Sequence, residues 1–114
     1  MPLEAWRLGS QVARQLGRFN PTELVLVDRD ESALHGLALD LYGNGLLEKR
    51  NTALADIRDL DAIRSVFAEH RPDIVFHAAA LKHLPLLESY PVEAWKTNVL
   101  GTRNVLQTAS EVGV

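Results

Sequence analysis

The chain has no cysteine among its 114 residues, which excludes disulfides and thiolate metal ligation and fits a cytoplasmic setting. No apolar run approaches the ~20 residues that a membrane-spanning helix needs, so no membrane segment is expected. Glu4, Trp6 and Arg7 stand where a secretory leader would carry its apolar stretch, so the N-terminus does not read as a signal peptide. Basic residues are outnumbered, 12 Lys+Arg against 15 Asp+Glu for a formal net charge of -3, which argues against a nucleic-acid partner. The four histidines (His35, His70, His77 and His83) lack ligand spacing with any carboxylate pair, so no metal site is expected. Residues 1–8 contain neither glycine nor a β-branched residue, and so they supply neither a strand nor a glycine-rich phosphate loop.

What remains is ordinary globular material, 46% hydrophobic and 24% charged, enough for one domain or part of one, taken as residues 1–114. Short apolar strands alternate with helical patterns, the signature of βαβ units and a parallel sheet. Val12, Leu16 and Phe19 share a helical face that Asn20-Pro21 ends. Leu24 to Val27 is a continuous apolar run closing on Asp28, as expected of a parallel strand covered on both faces. Ser32 can cap a helix with apolar positions Leu34, Leu37, Ala38 and Leu41, and Gly43-Asn44-Gly45 marks a turn. Thr52 to Ala55 reads as a weaker strand ending at Asp56. Ile63, Val66 and Phe67 stripe the next helix, which Arg71-Pro72 stops before a buried strand at Asp73 to His77. Pro91 opens a final helix carrying Trp95, Val99, Thr102, Leu106 and Ala109, with Gly113 as its stop.

The richest stretch is Phe76-His77-Ala78-Ala79-Ala80-Leu81-Lys82-His83-Leu84-Pro85-Leu86-Leu87-Glu88, followed by Lys96-Thr97-Asn98-Val99-Leu100-Gly101-Thr102. Small residues just past a strand's carboxyl end let a flat ligand lie against the backbone, and in open α/β sheets that edge is where ligands bind. Together the two segments closely resemble the extended short-chain dehydrogenase/reductase superfamily. The nearest branch is the CapD-like polysaccharide biosynthesis family of nucleotide-sugar 4,6-dehydratases and epimerases. The likeness runs from about Gly9 to Val114 and implies an α/β fold, a partial doubly wound Rossmann-like parallel sheet with flanking helices. Gly9-Ser10 match the end of the family's glycine-rich loop, while Ala5 and Trp6 stand where the family has glycine.

The resemblance implies NAD or NADP as cofactor and assigns residues to it. Asp28 falls on the adenosine ribose, 19 residues after Gly9, and Arg29 sits over adenine or pairs with a 2′-phosphate. A helix N-terminal acid cluster is the plainer reading of the same residues. Asp56 accepts from the adenine amino group while Ile57 packs on the ring; the plainer reading makes Asp56 a cap for the turn at Asp59-Leu60. Ala78, Ala79 and Ala80 line the cofactor, or simply pack strand against helix. Asn98 holds a local kink and organises the active site, a reason for an otherwise unfavoured helical Asn. Lys82 and His83 stand on the substrate side, where lysine can neutralise a diphosphate and histidine can relay a proton; as a surface pair they are merely solvated.

The resemblance further implies a nucleotide-sugar substrate. Full-length relatives oxidise C4 of a UDP-N-acetylhexosamine, eliminate water across C5–C6 and return the hydride. Their proton-transfer segment corresponds to residues beyond Val114, so the lone chain is expected to be inactive. A surviving nucleotide-binding module and a strand-completing association module are the alternatives. In a doubly wound sheet the first strand lies between the second and the fourth. Leu24–Val27 and Ile74–His77 should therefore flank a gap roughly 9–10 Å wide. That gap closes by direct pairing of the two strands or by a partner chain, and a homo-oligomer is expected.

Overall fold

A computed structural model describes residues 3–42 and 52–114, and the expected turn at Gly43-Asn44-Gly45 lies outside them. The chain divides into two compact units, Met1–Leu54 and Ala55–Val114.

The first unit runs α1 (Leu3–Gly17), β1 (Leu26–Asp28), α2 (Glu31–Tyr42) and β2 (Thr52–Leu54). The strands pair in parallel with Leu26 opposite Thr52, Val27 opposite Ala53 and Asp28 opposite Leu54. Ala13, Leu26, Leu34 and Leu37 are buried together, with Leu24 and Leu41 packed against them. Each fully buried leucine of such a cluster contributes about 1.5–3 kcal/mol. Arg14 pairs with Asp40 at 2.6 Å, and the Tyr42 hydroxyl donates to the Leu24 carbonyl at 3.3 Å. Burial lifts the Tyr42 phenol above its ordinary pKa.

Three expectations change here. Asp30, not Ser32, caps α2: its Oδ1 accepts from the Ser32 and Ala33 N–H groups at 2.9 and 3.2 Å, which seats Ser32 inside the first turn. Phe19 is 82% exposed, because α1 ends at Gly17 and a left-handed Asn20 follows (φ 56°); helical spacing no longer applies at residue 19. The expected cover on both faces of β1 is incomplete: Leu26 and Thr52 are buried on one face, while Val27 on the other is exposed, as is Leu54 at the end of β2.

The second unit runs α3 (Leu60–His70), α4 (Leu84–Ser89), α5 (Pro91–Trp95), a π-helical turn (Lys96–Gly101) and α6 (Thr102–Val112). α3 packs on α6 through Ala55, Ile63, Phe67 and Val105, with Ile57, Val75 and Val112 around them. Asp59 caps α3 by accepting from the Ala62 N–H at 3.1 Å. Arg71 ends it in the left-handed region, its N–H returning to the Phe67 carbonyl, and Pro72 forbids continuation. Gly113 ends α6 at φ 79°, a conformation glycine adopts without strain.

Asp73–His77 forms no ladder among the described residues, where the sheet has the two strands β1 and β2. The expected buried strand is not formed among the described residues. Val75 reaches the α3–α6 core, while Ile74 and Phe76 are 70% and 58% exposed. A parallel strand needs backbone partners along its edges and cover on both faces; here only the Val75 face is covered.

Candidate functional site

The helix from Pro91 to Val112 is the spine of the second unit's candidate site. It changes winding at Lys96–Gly101, and π-helical turns of this kind are concentrated at functional positions. Asn98 lies within that turn. Its Oδ1 accepts from the Leu81 N–H, and its Nδ2 donates to the Leu81 carbonyl, both at 2.8 Å. One helical turn on, Thr102 Oγ1 meets His77 Nε2 at 2.9 Å. Two side chains of one helix thus pin His77 and Leu81, the two ends of the run that contains Ala78, Ala79 and Ala80. The three alanines between the pins are exposed. Partial burial holds the His77 imidazole below its ordinary pKa, because desolvation disfavours the cation.

The same spine grips the segment Asp56–Ile57–Arg58. Gly101 is buried, and a Cβ there would meet Ile57 Cδ1 at 2.5 Å and Cγ1 at 2.7 Å, so only glycine lets the loop lie this close. Asn104, itself buried, donates from Nδ2 to the Ile57 carbonyl at 2.9 Å. Arg58 spans from the loop to α5. Its Nε lies 3.2 and 3.1 Å from the two Asp56 carboxylate oxygens, its Nη2 is 3.0 Å from Oδ2, and its Nη1 is 2.6 Å from Glu93 Oε2. The Arg58 N–H also donates to Asp56 Oδ1 at 3.0 Å. The hydrogen bond that Arg58 donates to Asp56 is the main reason that Arg58 holds its proton above the usual range. Lys96, 3.4 Å away, is the leading influence depressing the Glu93 pKa.

Asp56, Ile57, the alanine run and Asn98 are therefore gathered on one helix. The plainer reading of Asp56 as the α3 cap does not hold, because Asp59 fills that place. Asp28 and Arg29 belong to the other unit, where Asp28 Oδ1 accepts from the Asp30 N–H at 2.8 Å; of the acids read as a helix N-terminal cluster, Asp30 is the one that bonds to the first turn of α2. Lys82 and His83 are exposed at the entry to α4. The His83 carbonyl accepts from the Leu86 and Leu87 N–H groups, and its side chain makes no capping bond. Arg58, Glu93, Gly101 and Asn104 were not singled out from the sequence. The Asp-x-Arg spacing at 56–58 was the one local signal available; the other partners lie dozens of residues away.

Among the described residues no group of three or more His, Asp or Glu side chains could hold a metal ion. None of the described helices is long and apolar enough to cross a membrane. The flat rings of a dinucleotide are chemically matched by small exposed side chains on a pinned run and by a carboxylate held by Arg58. The pyrophosphate side does not fit at Gly9-Ser10. Both lie inside α1, where N–H groups are already engaged in the helical ladder and only the first four are open, and Gly9 has open space where a Cβ would go.

Comparison with known proteins gives the relationships. Residues 6–114 match the family described as "Polysaccharide biosynthesis protein". The chain is 38% identical over 109 residues to the probable polysaccharide biosynthesis protein EpsC of Bacillus subtilis, covering 93% of this chain and 18% of that protein. It is 41% identical over 70 residues to CDP-glucose 4,6-dehydratase of Salmonella typhimurium, covering 61% of this chain and 19% of the dehydratase. The crystal structure of UDP-glucose-4-epimerase from Stenotrophomonas maltophila, with bound NAD and formylated UDP-arabinopyranose, superposes with a TM-score of 0.69 at 25% identity. It covers 93% of this chain and 30% of the epimerase. The chain thus spans about a fifth of the length of these curated relatives.

Proposed function

The chain belongs to the polysaccharide biosynthesis protein family, and we propose that it is the cofactor-domain segment of a nucleotide-sugar 4,6-dehydratase or epimerase in that pathway, acting on a UDP-N-acetylhexosamine. Residues 1–114 form one nucleotide-binding domain in this reading, in a cytoplasmic setting. NAD or NADP, when bound, supplies acceptance and return of a hydride. This chain's residues hold it: Asp28 at the ribose, Arg29 over adenine or at a 2′-phosphate, Asp56 and Ile57 at the base, and Ala78, Ala79 and Ala80 along the flat face, with Asn98 fixing their course. Lys82 and His83 face the sugar nucleotide. As a lone chain it binds dinucleotide weakly and turns nothing over.

The observation that carries this reading is the exposed alanine run pinned at His77 and Leu81 by Thr102 and Asn98, on the helix that also fixes Asp56. Calorimetric titration of the chain with NAD(H), NADP(H) and UDP-N-acetylhexosamines tests it, together with an assay for 4-keto-6-deoxy product. Dinucleotide affinity on the order of millimolar, lowered by Asp56→Asn, and no product are expected. Product formation by the chain alone, or binding indifferent to Asp56→Asn, would overturn it.

A second reading, homo-oligomeric association, is favoured by one observation. Val92, Trp95, Val99 and Leu106 lie exposed along the spine helix, and Ile74 and Phe76 are exposed beside the site. Exposed large apolar side chains on this scale are the material of interfaces.

A further inference from the structure

We propose that Arg58 is a positioning residue for base recognition: it fixes the Asp56 carboxylate as an acceptor for the exocyclic amino group of adenine, and Glu93 holds Arg58 in place. The inference rests on the reading of Asp56 as the base contact and goes beyond it in naming what makes that contact selective.

A lone carboxylate on a loop rotates and accepts hydrogen bonds from many directions. Asp56 does not have that freedom. The planar guanidinium of Arg58 lies along it with Nε and Nη2 at 3.0–3.2 Å, a fork geometry that fixes the plane of the carboxylate. The Arg58 backbone N–H fixes Oδ1 from a further direction. Arginine never loses its proton in this range, so its partner remains an ionised, acceptor-only group. Such a group welcomes the amino group of adenine and repels the carbonyl oxygen that hypoxanthine carries at the same position.

Arg58 would drift with its loop were it not anchored. Glu93 takes Nη1 at 2.6 Å from the first turn of α5, and Lys96 steadies Glu93 from the next turn. Ile57 is held separately by contact with Gly101 and by the Asn104 amide. The backbone beneath Asp56 is thereby fixed independently of the ion pairs, and removing Arg58 frees the carboxylate without freeing the loop. A lysine at 58 retains the charge but loses the fork.

The test is the ratio of affinities for NAD and for its analogue with hypoxanthine in place of adenine, measured on the full chain by NMR titration into the millimolar range. Wild type should prefer NAD about tenfold, a hydrogen-bond-scale discrimination. Asp56→Asn should remove the preference, because an amide also donates. Arg58→Ala should lower it to about twofold, Glu93→Gln should lower it to an intermediate value, and Arg58→Lys should retain most of it. A general loss of stability lowers both affinities and leaves the ratio unmoved. If Asp56→Asn removes the preference while Arg58→Ala keeps it, the positioning role is wrong and the base contact stands. If neither dinucleotide binds, or Asp56→Asn keeps the wild-type ratio, the base contact itself fails and takes the inference with it. Should Arg58→Ala not fold, an unchanged ratio in Glu93→Gln overturns the proposal.

Discussion

The Asn98 side chain makes a two-point hydrogen-bonded ring with the main chain of Leu81, accepting from its N–H and donating to its carbonyl at 2.8 Å each. The carboxamide does for Leu81 what a neighbouring strand would do, and it satisfies both backbone groups where no ladder exists.

Asn98→Ala leaves both groups without that partner. A loss of about 1–3 kcal/mol in denaturant unfolding is expected, with faster hydrogen exchange at the Leu81 amide. Asn98→Asp should be no better, since it keeps the acceptor but turns a carboxylate oxygen toward the Leu81 carbonyl. Wild-type exchange at Leu81 in Asn98→Ala would contradict the bridge.

Gly101→Ala forces a methyl into Ile57, whose Cδ1 and Cγ1 lie 2.5 and 2.7 Å from the Cβ position. Overpacking of this kind costs about 1–3 kcal/mol. In a double-mutant cycle with Ile57→Ala, the glycine substitution should become nearly neutral, giving a coupling of about 0.5–3 kcal/mol. Additive effects would show that the contact is relieved some other way.

Thr108 is 1% exposed, and its hydroxyl is buried without a partner. Valine has the same shape and no polar atom, and both residues are β-branched, so the helix itself is indifferent. Thr108→Val should stabilise the chain by about 1 kcal/mol, since burying an unbonded hydroxyl costs about 1–3 kcal/mol. A lower midpoint in thermal melting would mean that the hydroxyl is bonded in solution.

His77 has a folded pKa below its unfolded value of 6.5. The native state therefore binds protons less readily than the unfolded chain, and stability rises with pH where the unfolded state holds more of them. The contribution is fully present above about pH 6.5 and is lost as pH falls through that value toward the lower folded one. Melting curves between about pH 8 and 5 should show wild type losing more stability than His77→Gln. Parallel losses would assign the acid sensitivity elsewhere.

The exposed row of Val92, Trp95, Val99 and Leu106 should drive self-association. Light scattering over a dilution series should give a mass above that of one chain at the highest concentrations, and Trp95→Glu should shift it toward the monomer. A compact monomer at every concentration would end the oligomer reading.

Much of the fold was legible because it is decided locally. Arg71-Pro72, Pro91 and Gly113 set helix ends through their own backbone preferences, and the stripe Ile63, Val66, Phe67 needs only helical spacing to face a core. Asp73–His77 misled because a strand is a relation between chains of backbone, and apolar content cannot show whether a partner is there. Ser32 misled by a smaller margin: Asp30, two positions earlier, offers a capping oxygen of equal rank and is the one used. At the site, Asn98 stood out as an unfavoured residue in a helical pattern. Arg58 and Glu93 did not, because each alone is an unremarkable surface charge and their meaning arises from a pairing across 35 positions.

The π-helical turn at Lys96–Gly101 also acts as a phase shifter. A wider turn takes up one residue more than an α-turn, and one residue corresponds to about 100° around the axis. The face that Glu93 presents upstream and the face that Val105 and Thr108 present downstream are thus set by the length of the intervening turn as well as by composition. Regular α winding of the same residues would swing everything after them by roughly a quarter-turn or more, taking Val105 out of its place against Ile63 and Phe67. Winding within this segment is therefore as constrained as residue identity: a substitution perturbs one contact, whereas a return to α winding with every residue kept re-aims the entire second half of the helix.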